Sequence, residues 1–390
     1  MAVPERWARS YPFEEGLYAA LDREGLAPPP SLEEIRAEAL QMVGHRRLSG
    51  LHRLRFHIPS ASSVLRYNRA EGTFAGAGLS FRPDARTGLS VRGGWAFGRD
   101  EPEAALELTG GEVHPGTGVR LTWNGPVDIG PVSGASGVVN TLSALALETD
   151  YLDPYFTSGV ALFHGWSPGS GVDLGIEVWW REAESGRNVV SDGGGTSPLR
   201  SVRPVDEGGE LGGELSATLG STDRGFGADA RLLAGRLEGT EYGSLRGRLT
   251  WKRAWLPENV ELSASLHGGV VTEDAPLQSL FLLGGRGTLP GYGYRAYAGD
   301  RFWLLSAEGS WGVAAPWFGA RLFGSVGSTG LADHVLPPSW LGEPAPSALV
   351  SAGVGAGFLW DVVHLDLARG LNGGSWALDL YVSRPFRSFL

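Results

Sequence analysis

From about Leu51 onward the chain alternates apolar and polar residues with a period of two, and this constrains its fold more than any other feature. Successive side chains of a β-strand point to opposite faces, so such a period sorts residues onto two sides of a sheet. Between Val172 and Arg181, Val172, Leu174, Ile176, Val178 and Trp180 share one face, while Asp173, Glu177 and Arg181 share the other. Leu245, Leu249 and Trp251 oppose Arg246, Arg248, Thr250 and Lys252 in the same way. Trp303, Leu305, Ala307 and Trp311 oppose Phe302, Leu304, Ser306, Glu308 and Ser310. Trp376, Leu378, Leu380 and Val382 oppose Asp379, Tyr381 and Ser383.

The pattern predicts fifteen strands, near 73–83, 88–99, 103–112, 118–128, 156–168, 170–183, 208–221, 225–236, 241–254, 257–272, 301–313, 317–328, 347–360, 362–371 and 375–386. A sixteenth, within 131–150 or 62–69, would make the number even. Some linkers are tight, at 83–86 and 256–259, and others are long, at 185–207, 273–300 and 329–346. Strands of about ten residues joined alternately by short turns and long loops match a transmembrane barrel. A soluble sandwich would show the same alternation, with the apolar face as its core. Two features favour the membrane. Trp95, Trp123, Trp166, Trp179, Trp180, Trp251, Trp255, Trp311 and Trp317 cluster at strand ends, as an interfacial girdle requires. Arg, Asp and Glu recur mid-strand on the other face, which is too much charge for a dry sandwich core. No four-strand blade repeat supports a propeller.

Helical signal is confined to the front. Ser31-Leu-Glu-Glu34 is a capping-box pattern, and Leu32, Ile35, Ala39, Leu40 and Val43 follow at helical spacing. One short amphipathic helix is expected, packed on the body; its acidic polar face argues against a membrane-surface role. The expected organisation is residues 1–60 as this helix with proline-rich linker and 61–390 as the barrel. No segment approaches the roughly 18 consecutive apolar residues of a transmembrane helix. The first ten residues, MAVPERWARS, lack a signal-peptide h-region, so a signal has been removed or the chain is part of something longer.

Of the 390 residues none is cysteine, which excludes disulfides, thiolate metal sites and cysteine nucleophiles and suits an oxidising compartment. The formal net charge of −10 argues against a nucleic-acid partner. The eight histidines form no HExxH or HxH pair, and no G-x-S-x-G marks a nucleophile elbow. Six glycines crowd Leu280–Phe302, yet they do not open a helix and no Lys-Ser/Thr follows, so a phosphate cradle is excluded. No catalytic residue, cofactor or metal site is expected, and the chain is not expected to be an enzyme.

That glycine-rich stretch carries a resemblance. Phe281, Gly284, Gly285, Leu289, Gly291 and Tyr292 resemble the inward-folded loop of the BamA-type outer-membrane assembly superfamily, in which an aromatic and Gly-Gly precede Val/Leu-Arg-Gly-Phe/Tyr. That superfamily includes bacterial surface antigens, TamA, two-partner-secretion transporters and the Sam and Toc proteins. Gly299-Asp300 before a strand carrying Glu308, Asp366-Leu-Ala368, and Trp376 to Phe386 fall in the family's order. Arg66 to Gly72, running into Ala75–Gly78, resembles the barrel entry of surface-antigen proteins. The resemblance covers about residues 60–390 and implies an all-β fold: a transmembrane antiparallel β-barrel of sixteen strands with an inward-folded lumenal loop. It implies a lumenal loop motif of Gly284, Gly285, Arg286, Leu289, Pro290, Gly291 and Tyr292, and a loop-facing wall at Glu308 and Ser325. It also implies a C-terminal assembly signal at Trp376, Leu378, Leu380 and Phe386.

Two departures stand out. The family's loop arginine is Pro290 here, and its acidic partner is Ser325, so both halves of one lumenal ion pair are replaced together. Losing one half alone would strand a buried charge. Arg286 is then the residue expected to reach Glu308. The family's periplasmic POTRA domains have no counterpart in residues 1–60, so they are missing or lie upstream of this chain. The implied function is insertion or export of β-rich polypeptides across a Gram-negative-type outer membrane, by a monomer embedded in lipid. Client strands would pair at a weak seam between the first strand, about 73–83, and the last, about 375–386. The alternatives are a passive porin-like channel, the membrane anchor of a larger surface or periplasmic protein, and a soluble all-β binding protein.

Overall fold

In the computed structural model of the chain, the structure describes residues 53–84, 86–111, 116–130, 132, 135–169, 171–190, 199–221, 225–255, 260–314, 317–332, 334, 336–340, 342–359 and 362–382. The expected helix after Ser31 and Phe386 of the expected assembly signal lie outside these residues.

The described residues are built mainly of antiparallel strands. The first are β1 (Leu54–Phe56), β2 (Leu65–Asn68), β3 (Gly72–Phe81), β4 (Thr87–Ala96), β5 (Glu101–Gly110) and β6 (Thr117–Asp128). A helix, α1 (Gly137–Ala146), precedes β7 (Pro154–Gly169), β8 (Val172–Glu184), β9 (Gly208–Ser221), β10 (Phe226–Leu237), β11 (Thr240–Trp255) and β12 (Val260–Val271). After two short strands, β13 (Phe281–Leu283) and β14 (Tyr297–Gly299), come β15 (Arg301–Ala314), β16 (Phe318–Gly330), β17 (Leu349–Phe358), β18 (Val363–Gly370) and β19 (Trp376–Val382). All except β13 and β14 belong to one sheet of seventeen strands. From β3 to β12 each strand pairs with the next, β12 pairs with β15, and the meander continues to β19.

The fifteen strands expected from the alternation are present, with ends within three residues of those expected except at β19, which is described only as far as Val382 against an expected 386. Among its described residues the region 131–150 carries α1 and no strand. The sixteenth position is filled by two pieces: β1 pairs with the far end of β3 and β2 with its beginning, on the same edge. Strand 73–83 is therefore not the barrel's edge. Between the pieces, residues 57–64 leave the ladder, yet His57 N still donates to Gly78 O at 2.8 Å and Gly76 N to Val64 O at 2.8 Å. An excursion that includes a 3-10 turn (Ala61–Ser63) thus interrupts the first wall strand. Among the described residues no strand register joins β19 to β1 or β2.

Burial confirms which face is which. On β8, Ile176, Val178 and Trp180 are exposed to the outside, whereas Trp179 is buried. Leu245, Leu249 and Trp251 on β11 and Trp303, Leu305 and Trp311 on β15 are exposed in the same way. A continuous band of exposed leucine, valine and tryptophan is what a barrel wall presents to lipid, where every backbone polar group must be paired within the protein. The chain's hydrophobic core lies elsewhere, inside the end where the long loops gather. Tyr155, Val205, Leu237, Tyr242, Val271, Leu280–Leu283, Leu289, Tyr292, Ala298, Phe302, Leu304, Trp340 and Leu349 cluster there.

Candidate functional site

The connection from β12 to β15 runs through that core. Its apolar opening forms a ribbon: Phe281 pairs with Gly299, Leu282 with Ala298 and Leu283 with Tyr297. Leu280 to Leu283 are almost fully buried, so the first residues of the stretch fill the mouth of the barrel instead of crossing its wall. Ala298 N donates to Glu343 O at 2.9 Å, which ties the loop between β16 and β17 onto the ribbon.

Beyond the ribbon the chain turns tightly, with Gly284 N donating to Thr288 Oγ1 at 3.0 Å and Gly285 N to Leu289 O at 2.9 Å. Gly291 is the position that requires glycine: its φ is +88°, and a Cβ there would lie 2.2 Å from Gly370 N. That close approach lets Ser375 N donate to Gly291 O at 2.6 Å, pinning the crest of the loop to the turn between β18 and β19. Tyr292 Oη completes the attachment, accepting from Val350 N at 3.2 Å and Asn372 N at 3.1 Å and lying 3.0 Å from Val350 O. Pro290, flanked by Leu289 and Gly291, is half-buried.

The expected contact between Arg286 and Glu308 is not made. Arg286 donates to the Leu380 carbonyl of β19 at 2.7 Å, and its guanidinium lies 5.2 Å from the Tyr151 ring centroid. Glu308 pairs with Arg321 of the neighbouring wall strand at 2.8 Å, and Arg321 also lies 3.5 Å from Asp366. Ser325 Oγ is 3.0 Å from Ser306 Oγ. The two residues expected to face the loop are thus bonded to the wall itself. Trp376, Leu378 and Leu380 are exposed on the outer face of β19.

The loop is held by a different arginine. Arg295, buried to 3% exposure, pairs with Asp128 at 2.7 Å and with Asp153 at 3.0 Å. Asp153 is fully buried and also receives Arg69 at 2.7 Å, Arg200 at 2.8 Å and Arg203 at 2.7 Å. Asp150 adds a third carboxylate, 3.3 Å from Arg69. Surplus guanidinium hydrogens go to carbonyls: Arg203 donates to Trp340 O at 2.8 Å and Arg295 O at 2.7 Å, and Arg69 donates to Leu152 O. Four arginines from three separate connections therefore converge on three aspartates at one end of the barrel. Charges this deeply buried persist only when paired and hydrogen-bonded.

The electrostatics follow. Burial pushes the Asp153 carboxyl up, but Arg200, Arg203, Arg295 and Arg69 together outweigh it and hold the group well below the ordinary carboxylate range. Burial lowers Arg295, and Asp128 more than reverses this, so its pKa is raised. Burial brings Arg203 down to about 10, leaving it charged at neutral pH. Burial also pushes the Tyr294 hydroxyl up to about 12, so it keeps its proton and donates to Tyr151 O at 2.6 Å.

The sequence motif around Arg66 proves to be part of this frame. Arg66 grips Glu71 and Glu103, while Arg69 joins the aspartates. Beside Asp128 lies a cavity of about 590 Å³, lined on the wall by Arg66, Glu103, Arg120, Glu177 and Arg181. Reading the sequence missed Arg295, Asp128, Asp153, Arg200 and Arg203. The available signal was positional: Asp128 and Asp153 flank the ends of two predicted strands, and Arg295 lies in the same glycine-rich stretch.

No protein-family model matches the chain, and no curated protein matches it. Among solved structures it is similar to BamA from Haemophilus ducreyi lacking POTRA domains 1–3, with 12% identity and a TM-score of 0.55, over 93% of this chain and 81% of that one. CdiB from Acinetobacter baumannii matches with 13% identity and a TM-score of 0.46, over 85% of this chain and 59% of that one. CdiB from Escherichia coli matches with 14% identity and a TM-score of 0.43, over 81% and 60%. The chain has the fold of an outer-membrane β-barrel, similar to that of this BamA, and its exposed apolar wall suits a membrane.

Proposed function

We propose that this barrel inserts or exports β-rich polypeptides at the outer membrane, using strand pairing and no covalent chemistry. The observation that carries the reading is the seam. In lipid an unpaired strand edge leaves backbone groups without partners, so a barrel normally closes its ladder. Here β19 has no strand register with β1 or β2 among the described residues, and the first wall strand is broken. An incoming strand can satisfy such an edge by β-augmentation. The loop supports the same reading, because its buried core and arginine latch fill the mouth through which a passive solute would pass.

The test is reconstitution in liposomes with an unfolded outer-membrane β-barrel as client. The reading expects faster client folding than in protein-free liposomes, together with low ion conductance. The charged cavity beside Asp128 favours a second reading, a porin-like channel. Steady conductance with no effect on client folding would establish that one and sink the first.

A further inference from the structure

The two edges of the seam are already occupied, and by parts of the chain that the mechanism above does not use. Backbone groups alternate in direction along an antiparallel strand. Because Gly76 N donates to Val64 O at 2.8 Å, Val64, Arg66 and Asn68 face β3, and Leu65 and Tyr67 turn their backbone groups to the other side. The Tyr67 amide, which a pairing strand would need, donates to Thr141 Oγ1 of α1 at 3.0 Å. That hydroxyl gives its own proton to Gly137 O at 2.8 Å, so its lone pair is fixed toward Tyr67. At the following turn the Arg69 amide donates to Asp150 Oδ2 at 2.7 Å.

The opposite edge is covered similarly. Gly370 N donates to Ser375 O at 3.0 Å, which turns the backbone groups of Trp376, Leu378 and Leu380 away from β18. The Leu380 carbonyl accepts from Arg286 at 2.7 Å. Arg286 also lies over Tyr151, whose amide donates to Asn140 Oδ1 of α1 at 2.7 Å. A path of side chains thus runs from β2 through α1 and Tyr151 to Arg286 and β19. The helix suits a place in a membrane wall: its sequence, GVVNTLSALA, has no charge, its buried side carries Asn140, Ser143 and Ala144, and Leu142 and Leu145 are exposed at 60% and 61%.

We propose that α1 is a built-in cap on the β2 edge, with Arg286 as its counterpart on β19, so that docked α1 and a paired strand at the seam exclude one another. A strand entering the seam must displace Thr141 from Tyr67. This concerns access to the edge and holds whether or not the protein folds clients.

The test uses the absence of native cysteine. In the full chain in liposomes, Leu65→Cys on β2 serves as the only thiol. The probe is a synthetic peptide of residues 376–382 carrying an N-terminal cysteine. Adding Thr141→Val should speed disulfide trapping of the peptide about tenfold, the weight of one lost hydrogen bond. Equal trapping with and without Thr141→Val would overturn the cap. If Thr141→Val fails to fold, amide exchange in the unaltered chain decides: protection of the Tyr67 amide is expected, and exchange as fast as in an exposed loop contradicts the proposal. A protein that shows cap-dependent trapping but does not fold clients would lose the proposed function and keep the cap.

Discussion

Asp153 is the residue on which the mouth of the barrel depends, because four guanidiniums, three of them buried, converge on one carboxylate. Asp153→Ala should destabilise the loop end by about 3–5 kcal/mol, since removing one partner leaves charges buried and uncompensated. Arg295→Ala should cost less, because Asp153 keeps three arginines and Asp128 retains partial access to solvent at 24% side-chain exposure. Heat-modifiable migration on gels measures both, and equal midpoints for the two variants would contradict the assignment. The pH dependence has a definite sign. A carboxyl held below its unfolded value, about 3.9, contributes stability that is fully present above that value and is lost as pH falls through the folded one. Midpoints should therefore be flat from pH 5 to 8 with respect to Asp153 and fall below about pH 4. Gly291→Ala should detach the crest of the loop, since its Cβ would lie 2.2 Å from Gly370 N in a left-handed conformation; faster amide exchange at Ser375 is the readout. At this scale the sequence was informative only locally. The departures at Pro290 and Ser325 from the motif that the chain resembles could be seen locally. The Arg295 latch could not, because Arg295 finds Asp153 at a separation of 142 residues and Asp128 at 167.

Among elements, the wall strands were legible and the pieces that interrupt them were not. A period of two sustained over ten or more residues has one structural meaning, and lipid on one side with a wetted lumen on the other keeps it regular. The first wall strand was legible only in part: β2 lies within the expected 62–69, while β1 escaped because it holds only 3 residues and an excursion separates it from β2. Helix α1 escaped because its valines and leucines also suit a strand, and ten residues give periodicity little to work with. Its start depends on Ser136, whose side chain accepts from Val139 N. Ser136→Ala should weaken the helix by about 1 kcal/mol, as loss of an N-cap does, and raise amide exchange in α1 while leaving β7 protected. Unchanged exchange would mean that packing on β2 alone holds the helix.

At the largest scale, a sixteen-position wall, a mouth filled by its own loops and a seam without strand register among the described residues form one arrangement. Under the proposed function, the loop obstructs the lumen and the seam is where the barrel would meet another chain. Deleting residues 284–296 should raise single-channel conductance several-fold, because it removes the crest and the latch together; an unchanged conductance would show that the loop does not obstruct the lumen. The most direct test of seam-based polypeptide handling links the two edges. With Leu65→Cys and Leu378→Cys, both on the outer face, a bismaleimide can staple β2 to β19 in the folded protein. Client folding in liposomes should fall to the protein-free rate on stapling, while each single-cysteine protein treated alike keeps its activity. Undiminished client folding by the stapled barrel would contradict the account.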